Sequence, residues 1–261
     1  MIATAERIKR ESPKIVPVFQ RETKYNLDGS VKRTHPNAVE GKSCRVRPIK
    51  EDEDFRKFIG FFRNKIETAT TYKKRLAARR NYAIVMMGFC TGLRVSDIIQ
   101  RKWCDLYKAD WTFRPAILCK QQKTGKYGEF FISEAVKAPI EEYRREMGAV
   151  SYDGYMFPAM HKSAPSPYID RHTAWKMVKE AAEGCGFEIN VGTHSLRKTF
   201  GYKSMVTHQG DAFFLATLMR IFGHSSEEIT LRYCGLEEEE NREVFNSVGD
   251  IYGSILGKEE K

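Results

Sequence analysis

Thr193-His194-Ser195-Leu196-Arg197-Lys198-Thr199-Phe200 is the stretch from which the rest of the chain is read. It opens a predicted helix over about 193–207. His194 and Arg197 stand three residues apart, so one helix can aim both at a single target. An imidazole and a guanidinium near a helix N-terminus suit an anion. On its own a His-x-x-Arg pair also fits incidental surface, so its neighbours have to decide.

Three other stretches carry the same chemistry. Upstream lies Thr91-Gly92-Leu93-Arg94-Val95-Ser96-Asp97, where Arg94 follows a glycine break and precedes a helix. A guanidinium fork there matches phosphate oxygens, although a plain surface charge would look the same. Asp97, one turn on, can orient Arg94 or a histidine, or simply favour the helix start. Between them Lys123-Thr124-Gly125-Lys126 joins two β-prone runs, 112–122 and 127–132, which predicts a β-hairpin. Downstream, Gly223-His224-Ser225-Ser226 is followed by Thr230 and by Tyr233, nine residues after His224. Taken singly, His224 reads as a capping or packing residue and Tyr233 as core.

The remaining pattern is mainly α with a small antiparallel β-sheet. Phe55, Phe58, Ile59, Phe62 and Ile66 predict an amphipathic helix over 51–67. Further helices are predicted over 72–90, 95–102 and, capped by Ser133, 134–147. Ser166-Pro167 reads as cap and first-turn proline of another, ended by Gly184. The C-terminal part predicts helices at about 193–207, 211–222, 226–234 and 237–247.

Together, in this order, the four stretches resemble the phage-integrase family of tyrosine recombinases over about residues 47–235. Thr91-Gly92-Leu93-Arg94 is similar to the family's first box, His194-x-x-Arg197 to its second, and Gly223-His224 with the later tyrosine completes the set. The resemblance implies the DNA breaking-rejoining fold and a nucleophile, Tyr233, that forms a 3′-phosphotyrosine bond. It implies that Arg94 and Arg197 bind the non-bridging phosphate oxygens and that His194 assists proton movement. His224 then contacts the phosphate, and Lys123, or alternatively Lys126, protonates the 5′-oxygen leaving group. Asp97 is the supporting acid.

The chemistry is consistent with this. A free phenol, with a pKa of about 10, is a poor nucleophile at neutral pH. Nearby cations should favour the phenolate and oppose its desolvation penalty. The matched residues contain no carboxylate set suited to Mg²⁺, and no Walker-type loop is present. Neither cofactor nor metal is expected, and the energy of the broken phosphodiester is kept in the phosphotyrosine.

Bulk properties agree with a DNA partner. The formal net charge of the 261 residues is +10. Residues 236–261 hold eight acids and three bases, so the tail carries −5 and residues 1–235 carry +15. A basic body suits a polyanion. The six cysteines are scattered, without a Cys-x-x-Cys pair, so neither zinc nor a disulfide framework is expected. Without a membrane-length apolar run or a secretion signal, the expected place is the cytoplasm.

The chain departs from many relatives in having only about 46 residues before the first catalytic helix, too few for a core-binding domain. Residues 1–46 read as a basic extended arm or linker, with a possible hairpin around Asn26-Leu27-Asp28-Gly29. Residues 1–50 hold twelve Lys/Arg against five Asp/Glu, so this region could lie along a DNA backbone. Residues 236–261 form the acidic tail, whose Val244, Phe245, Val248, Ile251, Tyr252, Ile255 and Leu256 offer apolar surface. By resemblance that tail docks on a neighbouring protomer. The expected partners are double-stranded DNA, other copies of the chain in a tetramer on paired sites, and accessory DNA-bending proteins. Two alternatives stay open, a type IB topoisomerase-like enzyme and a catalytically silent DNA-binding regulator on the same fold.

Overall fold

A computed structural model describes residues 45–121, 125, 127–159, 166–208 and 211–256. Residues 1–44 of the expected arm with its hairpin, both candidate lysines and the last five residues lie outside the described residues.

The chain enters through an extended segment, 45–50, and then forms α1 (Asp52–Glu67) and α2 (Tyr72–Thr91). Asp52, Glu53 and Asp54 fill the first turn of α1, where carboxylates complement the helix dipole. The Thr71 hydroxyl caps α2 by accepting from Lys74 N–H. The second half of α2 is apolar on all sides because it runs through the core, packed on α1, α5 (Glu134–Met147) and α7 (Thr193–Thr207). Phe58, Ile84, Met87, Leu93, Ile98, Trp103, Tyr107, Tyr143 and Phe157 are fully buried there.

Gly92 ends α2 in the left-handed region (φ 66). Any Cβ at this position would fall 2.6 Å from the Phe200 ring, so both backbone and packing require glycine. The chain then turns directly into Arg94.

Three elements differ from the sequence expectation. The helix expected over 95–102 is two short ones, α3 (Val95–Ile98) and α4 (Trp103–Leu106). The break is fixed locally, because the Asp105 carboxylate accepts from Lys102 N–H (2.9 Å) and restarts the helix. The first strand is shorter than 112–122. The backbone at Thr112 and Phe113 turns back onto Lys108 and Tyr107, leaving β1 (Ala116–Lys120) paired antiparallel with β2 (Tyr127–Phe131). Finally, α6 (Arg171–Gly184) begins five residues after Ser166. Residues 157–159 pair with 167–169 in extended form, and the Asp170 carboxylate caps the helix by accepting from Thr173 N–H (2.6 Å). Ser133 stands at the N-cap position of α5 but makes no side-chain cap bond.

The C-terminal part is α7, α8 (Ala212–Phe222), α9 (Glu227–Cys234) and α10 (Glu237–Leu256), the last longer than the 237–247 expected. A small second core of Leu218, Phe222 and Cys234, flanked by Phe200, Met205, Tyr233 and Leu236, joins α7, α8 and α9. A Cβ on Gly201 would lie 2.7 Å from Cys234 Sγ and 2.8 Å from the Phe222 ring. Glycine at 201 therefore sets how closely α9 approaches α7.

Candidate active site

Arg94 lies just beyond the αL turn at Gly92, and α7 crosses the same region. Arg197 is only 1% exposed, so its cation is enclosed by protein. Its guanidinium donates to Gly92 O (2.5 Å) and to Phe222 O (3.0 Å) and stacks 4.3 Å from the Phe222 ring. Arg94, half-buried, donates to the Gln121 side-chain oxygen and, at 3.5 Å, to the same Phe222 carbonyl. The end of α8 therefore gathers both arginines, and the negative end of a helix dipole favours cations there.

Tyr233 projects from α9 into this cluster. Its phenol lies close enough to the Arg197 and Arg94 guanidinium groups for their positive charge to act on it. Its ring lies 5.3 Å from Phe222 and 5.1 Å from the His224 imidazole, centroid to centroid. Lys198 Nζ, on a buried side chain, sits 5.2 Å over the ring face, an attractive cation–π geometry.

The His224 ring is oriented from within α9. Thr230 donates its hydroxyl proton to Ser226 O (3.3 Å), so its oxygen accepts from His224 Nδ1 (3.0 Å). In a neutral ring of that tautomer, Nε2 is the acceptor. His194 stands exposed on the first turn of α7, while Arg197, one turn on, is enclosed. Asp97 is buried, 1% exposed, and its negative charge acts on Arg197. Lys123 and Lys126 fall outside the described residues. The end of β1 reaches the site all the same, through Gln121 beside Arg94.

The electrostatics correct one expectation. Burial pulls the Arg197 guanidinium down to about 10, against the lesser pull of Tyr233 and Asp97, so it stays charged at neutral pH. Burial also pushes the Tyr233 phenol above its ordinary value, and the opposing pull of Arg197 and Arg94 is smaller. The cations were expected to favour phenolate; here desolvation outweighs them. The phenol is therefore protonated at neutral pH.

Two residues at the site were missed by the sequence reading. Gln121 looked like the end of a strand, and Lys198 like part of the charge around Arg197. Only their partners distinguish them, a guanidinium for Gln121 and a phenol ring for Lys198.

Comparison with known proteins places the chain in a family. The model described as Phage integrase family matches residues 63–240. The "Probable integrase/recombinase YoeC" of Bacillus subtilis (strain 168) is 33% identical over 173 residues, 66% of this chain and 87% of that protein. Among solved structures, XerA recombinase superposes with a TM-score of 0.55 at 19% identity, covering 80% of this chain and 66% of that one. XerH site-specific recombinase, solved on its palindromic difH substrate after cleavage, gives 0.55 at 20% identity, covering 80% and 55%. At these identities the two structures speak to the fold alone. This chain belongs to the phage integrase family of tyrosine recombinases. No helix among the described residues is long and apolar enough to cross a membrane.

Proposed function

We propose that the protein is a site-specific DNA recombinase or integrase that cuts and rejoins duplex DNA through a 3′-phosphotyrosine intermediate, without metal or ATP. One observation carries this reading. The Phe222 carbonyl gathers the Arg94 and Arg197 guanidinium groups, and the Tyr233 ring packs against Phe222 and His224 within reach of their charge.

A scissile phosphate held by Arg94 and Arg197 brings its phosphorus next to the phenol oxygen. The phenol loses its proton to an imidazole of His194 or His224 as the oxygen attacks. The bond to the 5′-oxygen breaks, and Lys123 or Lys126 supplies the proton that the leaving oxygen takes up. Negative charge grows on the non-bridging oxygens, where each prepositioned guanidinium is worth about 3–4 kcal/mol in the transition state. Reversal with a different 5′-hydroxyl joins a new strand and restores the enzyme. Asp97 supports the arrangement through its charge near Arg197.

XerH is described as bound to its substrate DNA, and duplex DNA is the partner proposed here. Self-association on paired sites also belongs to this reading, to a tetramer by family resemblance and with accessory DNA-bending proteins. The exposed Val244, Phe245, Ile251 and Tyr252 of α10 offer apolar surface for a neighbouring copy. The proposed compartment is the cytoplasm, where such DNA lies.

The test uses nicked suicide substrates carrying the element's attachment site. A covalent protein–DNA adduct that disappears in Tyr233→Phe, with DNA binding kept, supports the enzyme. Binding without adduct in the wild type favours the silent regulator. Relaxation of supercoils on DNA lacking that site favours the topoisomerase.

A further inference from the structure

The extended segment 45–50 lies almost 190 residues upstream of Tyr233, yet its polar contacts converge on the helix that carries it. Arg45 Nη2 donates to Arg232 O (2.8 Å), and Lys50 Nζ donates to Gly235 O (2.9 Å). These two carbonyls bracket Tyr233 on either side. The last carbonyls of a helix are short of intrahelical partners, and in the eight-residue α9 Arg232 O otherwise accepts from the Gly235 N–H, at a long 3.3 Å. Basic side chains satisfy such groups and complement the dipole.

The same segment reaches Tyr233 by a second route. Lys198 Nζ, which lies over the phenol ring, donates to Val46 O (2.9 Å). The segment itself is anchored firmly. Arg47 N–H donates to Asn190 O (2.9 Å), Ile49 N–H to the Thr199 hydroxyl (2.8 Å), and Ile49 is fully buried. Pro48 packs against Gly235 so closely that a Cβ there would meet its ring at 3.2 Å. The niche between segment and helix is about 30 Å³, lined by Arg45, Lys50, Lys198 and Arg232 among others. That is room for about one water.

We propose that segment 45–50 is a strap that positions the nucleophile, with Arg45 and Lys50 as positioning residues that hold the carbonyls of Arg232, in α9, and of its C-cap Gly235, on either side of Tyr233. The strap keeps the phenol against the arginines of its own subunit, and it directly continues the basic N-terminal region. The inference rests on Tyr233 as nucleophile but can be read separately.

The full-length protein is labelled with ¹³C at tyrosine Cζ and titrated by NMR, with Tyr233 assigned by its loss in Tyr233→Phe. In Arg45→Met/Lys50→Met the ring gains water. Its titration midpoint is then expected to fall by half a pH unit or more toward that of an ordinary tyrosine. The rate of adduct formation should fall at least tenfold on saturating DNA. Lys50→Arg, which keeps a donor and a charge, retains both properties. Lys203→Met cuts only the surface pair with Asp52 and should move neither. Thermal unfolding checks that each variant is folded; if the double variant is not, Arg45→Gln and Lys50→Gln are read singly. A Tyr233 titration that superimposes on the wild type overturns the strap, as does an unchanged adduct rate. The titration needs no DNA, so its outcome is distinct from a wild type that forms no adduct, which would instead overturn the proposed enzyme.

Discussion

Replacing Gly201 with alanine tests whether the approach of α9 to α7 sets the reacting geometry. The added Cβ would stand 2.7 Å from Cys234 Sγ and 2.8 and 2.9 Å from the Phe222 ring. Unstrained carbon contacts sit at about 3.5–4.0 Å, so α9 and the end of α8 must move outward by roughly 1 Å. Overpacking of this kind costs about 1–3 kcal/mol. Alanine returns about 1 kcal/mol through its better helix propensity. The net loss is then about 0–2 kcal/mol, a fall in melting temperature of at most about 8 °C for a chain of this size. Chemistry should suffer far more, because a misplacement of about 1 Å can slow a reaction on the order of 100-fold. The assay pairs thermal unfolding with the rate of adduct formation on a suicide substrate. Cys234→Ala in the same chain removes the Sγ contact and should recover part of the rate, while the Phe222 contact remains. Wild-type cleavage by Gly201→Ala would refute the idea that this contact fixes the position of Tyr233.

Three other outcomes can be measured. Arg197→Met removes a buried cation whose displaced titration is worth about 3 kcal/mol, but it leaves two carbonyls short of a donor at about 1–3 kcal/mol each. Urea unfolding should therefore shift by no more than about 3 kcal/mol while cleavage drops by about 100- to 1000-fold; a much larger loss of stability would make Arg197 a scaffold residue. Gln121→Leu frees Arg94 from its side-chain acceptor and should slow cleavage roughly tenfold, about the worth of one hydrogen bond, with little change in DNA affinity by gel shift. Burial pushes the Cys234 thiol up to about 12 from an ordinary 9. The folded state then keeps a proton that the unfolded state gives up, so this contribution is full below pH 9. It declines by about 1.4 kcal/mol per unit as the pH rises toward 12. Cys234→Ala should flatten the alkaline fall in stability, and an identical pH curve would contradict the burial of that thiol.

Local chemistry accounts for what could be read in advance. The helices at 51–67, 72–90, 134–147 and 193–207 follow from apolar spacing and breaks, which act within a few residues. The errors came where a second signal competed nearby. Ser166-Pro167 is a good helix start, but pairing of 157–159 with 167–169 occupies that backbone, and Asp170 is the cap that remains. Asp105 likewise splits the run after Arg94. At the site, residue order pointed to Arg94, His194, Arg197, His224 and Tyr233, while Gln121 and Lys198 gave no local sign.

By itself the sequence determined which side chains of phosphate chemistry exist, in what order, and on which helices, because those features depend on residue type and short spacing. Only the tertiary structure decided that the carbonyl of Phe222 gathers both arginines and that Gly201 lets α9 close on α7. It also decided that the phenol is held protonated by burial. Each of these rests on groups distant in the chain meeting in a space from which water is excluded, and the strength and sign of an electrostatic effect are set by that exclusion.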